Sequence, residues 1–146
     1  MKPLCALLVV LAALSVPTAC GESDALTKEQ YVARLNSMCR DFSRREQQIG
    51  DPQTIEDLVA DGPRVLDAFE EAIVDEVHRL KAPAEISDQA RRIARLADEQ
   101  EDVLSRLVEA AKRGDFAAVD ELAARNAALN RESSAVAGEL GATACA

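Results

Sequence analysis

The chain has 146 residues, which is enough for one domain with a single hydrophobic core. It carries 26 acidic and 17 basic residues, and its formal net charge of −9 disfavours nucleic acid, whose phosphates attract a basic partner. Three Phe, one Tyr and no Trp leave few rings for stacking on sugars or enclosing cations. The composition therefore favours an acidic globular domain that does not bind nucleic acid.

The first 19 residues have the three parts of a secretory signal peptide. Lys2 provides a positive start, residues 4–14 are apolar, and small residues precede Cys20. The apolar run is too short before Pro17 for a transmembrane helix, which needs about 20 apolar residues. We therefore expect residues 1–19 to be removed on export, leaving 127 residues with a net charge of −10.

Cys20 is predicted to carry a lipid, because lipoprotein processing attaches diacylglycerol to the cysteine that becomes the first mature residue. Pro17 departs from the Leu-Ala-Gly/Ala-Cys pattern of a lipobox, and ordinary secretion after Ala19 is the alternative. An anionic membrane would repel the acidic domain, so the lipid would be its membrane contact. We expect residues 20–26 to be a lipidated cysteine with a short polar tether, and residues 27–146 to form the domain on the extracytoplasmic face of the cell membrane.

The remaining cysteines favour one disulfide. Cys5 leaves with the signal, and if Cys20 is lipidated, Cys39 and Cys145 form an even pair in an oxidising compartment. Their bridge would close a loop of about a hundred residues, worth about 4 to 5 kcal/mol in the chain-entropy model. The alternative is that Cys39 is only a small core residue on a helix. We predict the bridge.

Beyond the tether, apolar residues recur at helical spacing throughout the chain, with no β-pattern and no convincing repeat. The first predicted helix begins at Thr27, whose spacing to Gln30 is that of a capping box, and ends at Gly50. Asp51 is expected to cap a second helix that starts at Pro52 and runs to about residue 81.

This second helix contains Gly62-Pro63. Proline removes one backbone donor and disfavours helical geometry at the preceding residue, so we expect a kink or a break there. A third helix is predicted over about residues 83–113 and a fourth from the Asp115 cap to Gly141, with the joint at Gly114.

Connections this short make neighbouring helices antiparallel. The predicted fold is all-α, an up-down-up-down four-helix bundle whose second helix is interrupted at Gly62-Pro63.

Two polar residues, Gln100 and Asn126, interrupt the apolar seams of the last two helices at levels that correspond when counted from Gly114. Unpartnered buried amides cost about 1 to 3 kcal/mol each, so we expect them to bond each other or water. The favoured role is fixing helix register, and the alternative is the polar end of a small-ligand pocket. Cys39 is expected near the same level, so residues 141–145 would have to run extended to reach it.

Catalytic and metal motifs are not evident. Asp75 and His78 share a helical face at a spacing used in di-iron bundles, but His78 is the only histidine and such sites need a second. Haem ligation by Met38 and His78 is a further alternative, although a methionine in an apolar stripe usually packs in the core. The acidic run at residues 98–102 is interpreted as a solvated face. We therefore expect no catalytic residue, no metal and no other cofactor.

Several stretches resemble a loose group of small helical lipoproteins from high-GC Gram-positive bacteria. They are residues 26–32, Met38-Cys39, residues 80–85, residues 111–115 and the cysteine at the C-terminal edge. The resemblance implies a helical bundle with the Cys39–Cys145 bridge. It implies no enzymatic activity, because the group has no assigned one.

The sequence thus favours a non-enzymatic, lipid-anchored module of the cell envelope that binds another protein or has a structural role. The first alternative is a small-ligand carrier that uses a core pocket around Gln100, Asn126 and the Gly62-Pro63 interruption. The second is a metal or haem protein that binds through His78.

Overall fold

A computed structural model describes residues 25–50 and 52–146. The predicted signal peptide, Cys20, most of the tether and Asp51 lie outside the described residues. Those that are described form four long helical stretches that pack closely on one another, and they contain no β-strand. None of these helices combines the length and the apolar character needed to span a bilayer. The prediction of an all-α fold is confirmed.

The elements in chain order are α1 (Lys28–Ile49), α2 (Ile55–Phe69), a π-helical segment (Glu70–Val74), α3 (Asp75–Arg79), a 3₁₀ turn (Ala84–Ile86), α4 (Ser87–Lys112) and α5 (Phe116–Leu140). The π-helical segment joins α2 directly to α3, so these three elements form the second long helical stretch.

Most helix ends are as predicted. The Thr27 hydroxyl accepts the Gln30 N–H, and the Gln30 side chain accepts the Thr27 N–H, which completes a capping box before α1. The Asp115 carboxylate caps α5 by accepting the Ala118 N–H. Gly50 ends α1 at φ +100° and Gly141 ends α5 at φ +91°, backbone conformations that favour glycine.

The predicted start of α2 at Pro52 is wrong, because Thr54 is the N-cap. The Thr54 hydroxyl accepts the Asp57 N–H at 3.1 Å, and the Asp57 carboxylate accepts the N–H groups of Thr54 at 3.1 Å and Gln53 at 3.3 Å. These hydrogen bonds, led by the one with the Thr54 side chain, lower the pKa of Asp57. The reciprocal cap satisfies backbone donors that a start at Pro52 would leave open.

The predicted break at Gly62-Pro63 is also wrong, since α2 continues through both residues. Pro63 removes one backbone hydrogen bond, but its ring holds φ in the helical range. Gly62 is buried, and a Cβ atom placed on it would lie 2.7 Å from Cγ2 of Val108 in α4. A side chain at this position would collide with α4, so glycine permits the close approach of α2 to α4.

The irregularity in this stretch occurs further on, in the π-helical segment. Ala72 and Val74 of this segment and Val77 of α3 are buried. A π-turn contains more residues than an α-turn, so it changes which side chains face the core beyond it. The segment therefore keeps α3 packed against the rest of the bundle after α2 has passed α4.

The core consists of two clusters. The first includes Tyr31 and Leu35 of α1 together with Phe69 and Val77, and the second lies mainly between α4 and α5. Leu26 packs against the first cluster, and its N–H donates to the Lys81 carbonyl at 2.9 Å. The last residue assigned to the tether is therefore attached to the folded domain.

Candidate binding site

A cleft with a volume of about 400 Å³ lies between α1 and α5. Residues of α2, the π-helical segment, α3 and α4 also line it, together with the tail that follows α5. Gln100 of α4 and Asn126 of α5, which the sequence places at one level, both belong to the lining. Gly62-Pro63 does not. We call this space the α1–α5 cleft.

The arrangement of the helices explains why the space is open. α5 packs closely on α4, and α1 packs on α2 and the π-helical segment, whereas α1 and α5 are not among the helix pairs in close contact. The side chains that α5 contributes to the cleft are mostly short and polar. This polar wall consists of Asn126, Asn130, Ser133 and Ser134. Their spacing places them on one helical face, and their side chains are too short to fill the space between α5 and α1.

The opposite lining is apolar. This apolar wall consists of Met38, Phe42, Phe69, Ile73, Val77 and Ile93. The rings of Phe42 and Phe69 meet edge to face, with their centroids 5.4 Å apart and their planes at 79°. Such aromatic pairs stabilise each other by about 0.5 to 1.5 kcal/mol beyond the area they bury. The cleft thus has one apolar side of defined shape and one side that can form hydrogen bonds.

Asn126 carries the most unusual atom in the cleft. Its side-chain Oδ1 is buried and has no hydrogen-bond partner among the described residues. The expected hydrogen bond from Gln100 to this oxygen is therefore absent, although both side chains line the same space. A buried acceptor without a partner costs about 1 to 3 kcal/mol, so Asn126 is a locally destabilising residue of α5.

The tail after α5 bridges α1 and α5, which are not among the helix pairs in close contact. A disulfide joins Cys39 of α1 to Cys145, with a Cα–Cα distance of 5.3 Å. The Ala144 N–H donates to Asn36 Oδ1 at 2.7 Å, and the Ser134 hydroxyl donates to the Cys145 carbonyl at 2.9 Å. The tail is thereby attached to α1 and α5 at once, and it lines the cleft beside the disulfide.

The predicted disulfide is present, but the extended path predicted for the tail is wrong. Residues 141–145 form turns, in which the Thr143 N–H donates to the Gly141 carbonyl and the Cys145 N–H to the Ala142 carbonyl, both at 3.1 Å. Cys39 lies level with Ser134 rather than Asn126. Those two residues are eight apart on α5, about 12 Å at 1.5 Å per residue, which removes most of the distance that the tail was expected to cover.

Charge is nearly absent from the cleft. Glu46 is the one charged residue among the described residues that line it, and it is exposed. The lining contains the hydroxyls of Ser43, Ser133 and Ser134, and it contains no histidine or lysine that could act as a base beside them. The cleft can therefore offer apolar contact and neutral hydrogen bonds.

His78 lies away from the cleft. Its Nε2 is 2.7 Å from Asp98 Oδ1, and the two side chains are 51% and 52% exposed. Met38 is buried in the first core cluster, as expected for a packing residue. Across residues 25–50 and 52–146, no group of three or more His, Cys, Asp or Glu side chains is arranged to hold a metal ion. The geometry of this part of the chain does not favour a site at His78.

The acidic run at residues 98–102 contains one perturbed group. The pKa of Glu101 is raised, first by burial and then by the negative charges of Glu70, Asp98 and Asp75. The interpretation of this run as a solvated face was therefore incomplete, because Glu101 is partly covered at the joint between α4 and the π-helical segment.

The sequence analysis identified Gln100 and Asn126 but missed Asn130 and Ser134. The signal for both was present, since Asn126, Asn130, Ser133 and Ser134 recur at helical spacing. We had treated α5 as having a single buried seam, whereas it has an apolar face toward α4 and a polar face toward the cleft.

Comparisons with protein-family models, curated proteins and solved structures yielded no significant match to this chain. The functional argument therefore depends on the cleft and on the sequence.

Proposed function

We propose that this chain is an exported, lipid-anchored protein that binds a small ligand in the α1–α5 cleft. The observation that carries the proposal is a cleft of about 400 Å³ with one apolar wall and one polar wall. Small-molecule sites are typically concave, about 300 to 1,000 Å³ in volume and mainly apolar, with a few polar groups that orient the ligand. The cleft has each of these properties.

The energetics favour occupation by a partly apolar molecule. Burial of apolar surface contributes about 25 cal/mol per Å², so each methylene that enters the cleft adds about 0.8 kcal/mol. Phe42 and Phe69 already hold each other in one geometry, so little side-chain entropy is lost when a ligand packs against them.

A binding role fits this site better than catalysis. General acid–base or nucleophilic chemistry needs a nucleophile beside a base, or a carboxylate whose environment tunes its pKa. The hydroxyls in the polar wall have no base beside them in the described lining, and the raised pKa of Glu101 lies outside it. We therefore propose a non-enzymatic carrier or sensor of its ligand.

The location is proposed from the sequence. The signal-like residues 1–19 and Cys20 support export and lipidation, as does the resemblance to small helical lipoproteins. The Cys39–Cys145 bridge is consistent with this proposal, because disulfides persist in oxidising compartments. A fatty-acid probe should label the wild type and a Cys5→Ser control but not Cys20→Ser. Retained labelling in Cys20→Ser would refute lipidation at this residue.

We also propose that the four helical stretches alternate in direction around the core. The connections between them are short, at residues 50–54, 80–83 and 113–115, and such connections favour antiparallel neighbours. In that arrangement α1 and α5 would be neighbours that have opened to form the cleft.

The partner-binding role has less support. Large exposed hydrophobic side chains in the described part of the chain are limited to Val59, 37% exposed, and Phe116, 63% exposed. Scattered single residues of this kind are normal on soluble domains and do not form an apolar docking patch.

Binding can be tested with an uncharged fluorescent probe, N-phenyl-1-naphthylamine. The full-length chain carrying Cys20→Ser should be expressed with export and disulfide formation, which avoids detergent that would compete for the cleft. We expect saturable binding at one site. Asn130→Trp should weaken it by about tenfold or more, because the indole would occupy the cleft.

Arg131→Trp is the matched control, since Arg131 is the exposed neighbour of Asn130 and is not part of the lining. It should bind the probe like the parent protein. The proposal fails if both tryptophan variants behave alike, or if the parent protein binds no probe.

A further inference from the structure

A second cleft opens on another face of α1. It has a volume of about 360 Å³ and lies between α1, the π-helical segment and α3. Four arginines of α1 line it, namely Arg34, Arg40, Arg44 and Arg45. These are four of the 17 basic residues of a chain whose net charge is −9. The cleft therefore concentrates positive charge on an otherwise acidic chain, and we call it the arginine cleft.

Two of these arginines are held by acidic residues of the same lining. Asp41 forms ion pairs with both Arg44 and Arg45. Arg45 also donates to Glu71 Oε2 at 2.7 Å. The hydrogen bond with Glu71 and then the charge of Asp41 raise the pKa of the Arg45 guanidinium. The charges of these two carboxylates are thus already balanced within the cleft.

The other two arginines have no such partner. Among residues 25–50 and 52–146, neither Arg34 nor Arg40 has an ion pair or a side-chain hydrogen bond, and both are exposed. Glu76, the remaining acidic residue of the lining, pairs with Arg79, which lies outside it. Two positive charges in the arginine cleft therefore remain unbalanced.

The hydroxyl of Ser37 lies between the two unpaired arginines. Ser37 is three residues from Arg34 and three from Arg40, so it is the midpoint of a row on one helical face. It is exposed, it lines the arginine cleft, and its hydroxyl has no partner among the described residues. The two arginines are about 9 Å apart along the axis, at 1.5 Å per residue, which their long side chains can span. The row can therefore offer two guanidinium groups and one hydroxyl to a single ligand.

We infer that this row, Arg34, Ser37 and Arg40, binds a phosphate monoester. Such a group carries a charge of about −1.5 to −2 at pH 7 and has three strong acceptor oxygens, which match two unbalanced arginines and a hydroxyl. The planar guanidinium group binds phosphate oxygens in bidentate geometry. A carboxylate has one charge and two oxygens, so it would leave one of the two arginines unbalanced. The ligand is a small phosphorylated molecule or a lipid whose head is a phosphate monoester, since both share this chemistry.

Glycerol 3-phosphate is the soluble probe for this site. The full-length chain carrying Cys20→Ser should be expressed with export and placed in a phosphate-free buffer, where shifts of the α1 amide signals in NMR spectra measure binding. We expect saturable binding. Arg34→Gln and Arg40→Gln should each weaken it by about tenfold or more, because each removes a charged hydrogen-bond donor. Acetate should bind the parent protein about tenfold more weakly than glycerol 3-phosphate.

Arg95→Gln is the matched control. Arg95 of α4 is exposed, has no ion pair with a described residue and lines neither cleft, so this variant removes the same charge elsewhere. It should bind glycerol 3-phosphate like the parent protein. All three arginines are exposed, so the variants should fold normally, and circular dichroism checks this. Asn130→Trp should also leave phosphate binding unchanged, so this inference and the proposed function can fail separately.

Vesicles distinguish the two sources of the phosphate group. Phosphatidic acid in phosphatidylcholine vesicles presents a phosphate monoester, whereas phosphatidylserine presents an anionic head without one. If the source is a lipid, vesicles with phosphatidic acid should carry the protein in a flotation assay, and Arg34→Gln and Arg40→Gln should abolish this. Vesicles with phosphatidylserine should not carry it, because the acidic domain is repelled by an anionic surface. Binding of glycerol 3-phosphate without flotation would indicate a soluble source.

Four results would overturn the inference. The first is that neither glycerol 3-phosphate nor vesicles with phosphatidic acid bind. The second is unchanged binding in both Arg34→Gln and Arg40→Gln, and the third is an equal loss in Arg95→Gln, which would show only a response to net charge. The fourth is binding of acetate, or of vesicles with phosphatidylserine, as tight as that of the corresponding phosphate monoester.

Discussion

The two faces of α5 show how one helix can close a core on one side and leave it open on the other. Toward α4 it presents large aliphatic side chains, and Leu129 and Val136 are each only 1% exposed. Toward α1 it presents short polar ones such as Asn126 and Ser133, and the space there is a cleft rather than a packed interface. A bundle therefore does not need an inserted loop or a second domain to form a pocket.

The comparison teaches that side-chain volume, and not only polarity, decides whether two helices meet. Close packing fills interiors to about three quarters of their volume, so helices separated by short side chains either approach more closely or leave a void. The tail lies between α1 and α5 beside the cleft, and α1 is already packed on α2 and the π-helical segment, so the space between the two helices stays open there.

Breaking the bridge across the open side should have the largest effect. In Cys39→Ser/Cys145→Ser, unfolding in urea should require less free energy by about 2 to 5 kcal/mol, because the unfolded chain is no longer constrained across 106 residues. Reduction of the wild type should produce a similar loss, and Ala144→Ser, a tail change that keeps the bridge, should not. Equal stability of the oxidised and reduced wild type would contradict the prediction.

Truncating a side chain should distinguish the closed face of α5 from the open one. Leu129→Ala removes a buried side chain from the interface with α4 and should cost about 3 kcal/mol in unfolding free energy. The adjacent change Asn130→Ala, on the cleft side, should alter it by no more than about 0.5 kcal/mol. Chemical denaturation of the pair measures the difference, and comparable losses would mean that the cleft side is as tightly packed as the other.

The contact of α2 with α4 can be tested at Gly62. Gly62→Ala should lower the unfolding free energy by about 1 kcal/mol, because crowding against Val108 outweighs the gain of about 1 kcal/mol in helix propensity. In a Val108→Ala background the same change should become stabilising, since the crowding atom is gone. A double-mutant cycle by urea denaturation gives the sign, and a loss that persists in that background would show that the strain lies elsewhere.

The smallest effect on stability is expected from a change at Glu101, which lies in α4 and belongs to neither face of α5. Its pKa is raised in the folded protein above the ordinary value of 4.5, so the folded state holds this proton more tightly than the unfolded state. Stability from this group is present below that value and is lost as the pH rises through the folded pKa. Glu101→Gln should therefore melt at a slightly higher temperature than wild type at pH 7 and at the same temperature at pH 3.5. A larger difference in melting temperature at pH 3.5 than at pH 7 would contradict the raised pKa of Glu101.

The helix ends could be predicted because their causes are local. Thr27, Gly50, Asp115 and Gly141 act through hydrogen bonds or backbone angles within four residues, and such signals survive in the sequence. The Thr54 cap obeys the same rule and was missed only because Pro52 also suits the first turn of a helix.

The behaviour of Gly62-Pro63 and the shape of the cleft could not be predicted because their causes are not local. The room available for a side chain at Gly62 depends on Val108, 46 positions along the chain. The sequence placed Gln100 and Asn126 at one level, but whether their level was packed or open depended on how near α1 lies to α5. No spacing along a single helix encodes that distance.

The disulfide that attaches the tail after α5 to α1 has a consequence for how the molecule matures. Cys145 follows all the described helices in the order of synthesis, and its partner Cys39 lies near the middle of α1. The Cys39–Cys145 disulfide can form only after translation has passed the end of α5 and an oxidant has acted. A chain still emerging, or one held under reducing conditions, would thus have its helices but lack the disulfide that holds the tail across the α1–α5 cleft. Under the proposed function, ligand binding would begin only after oxidation.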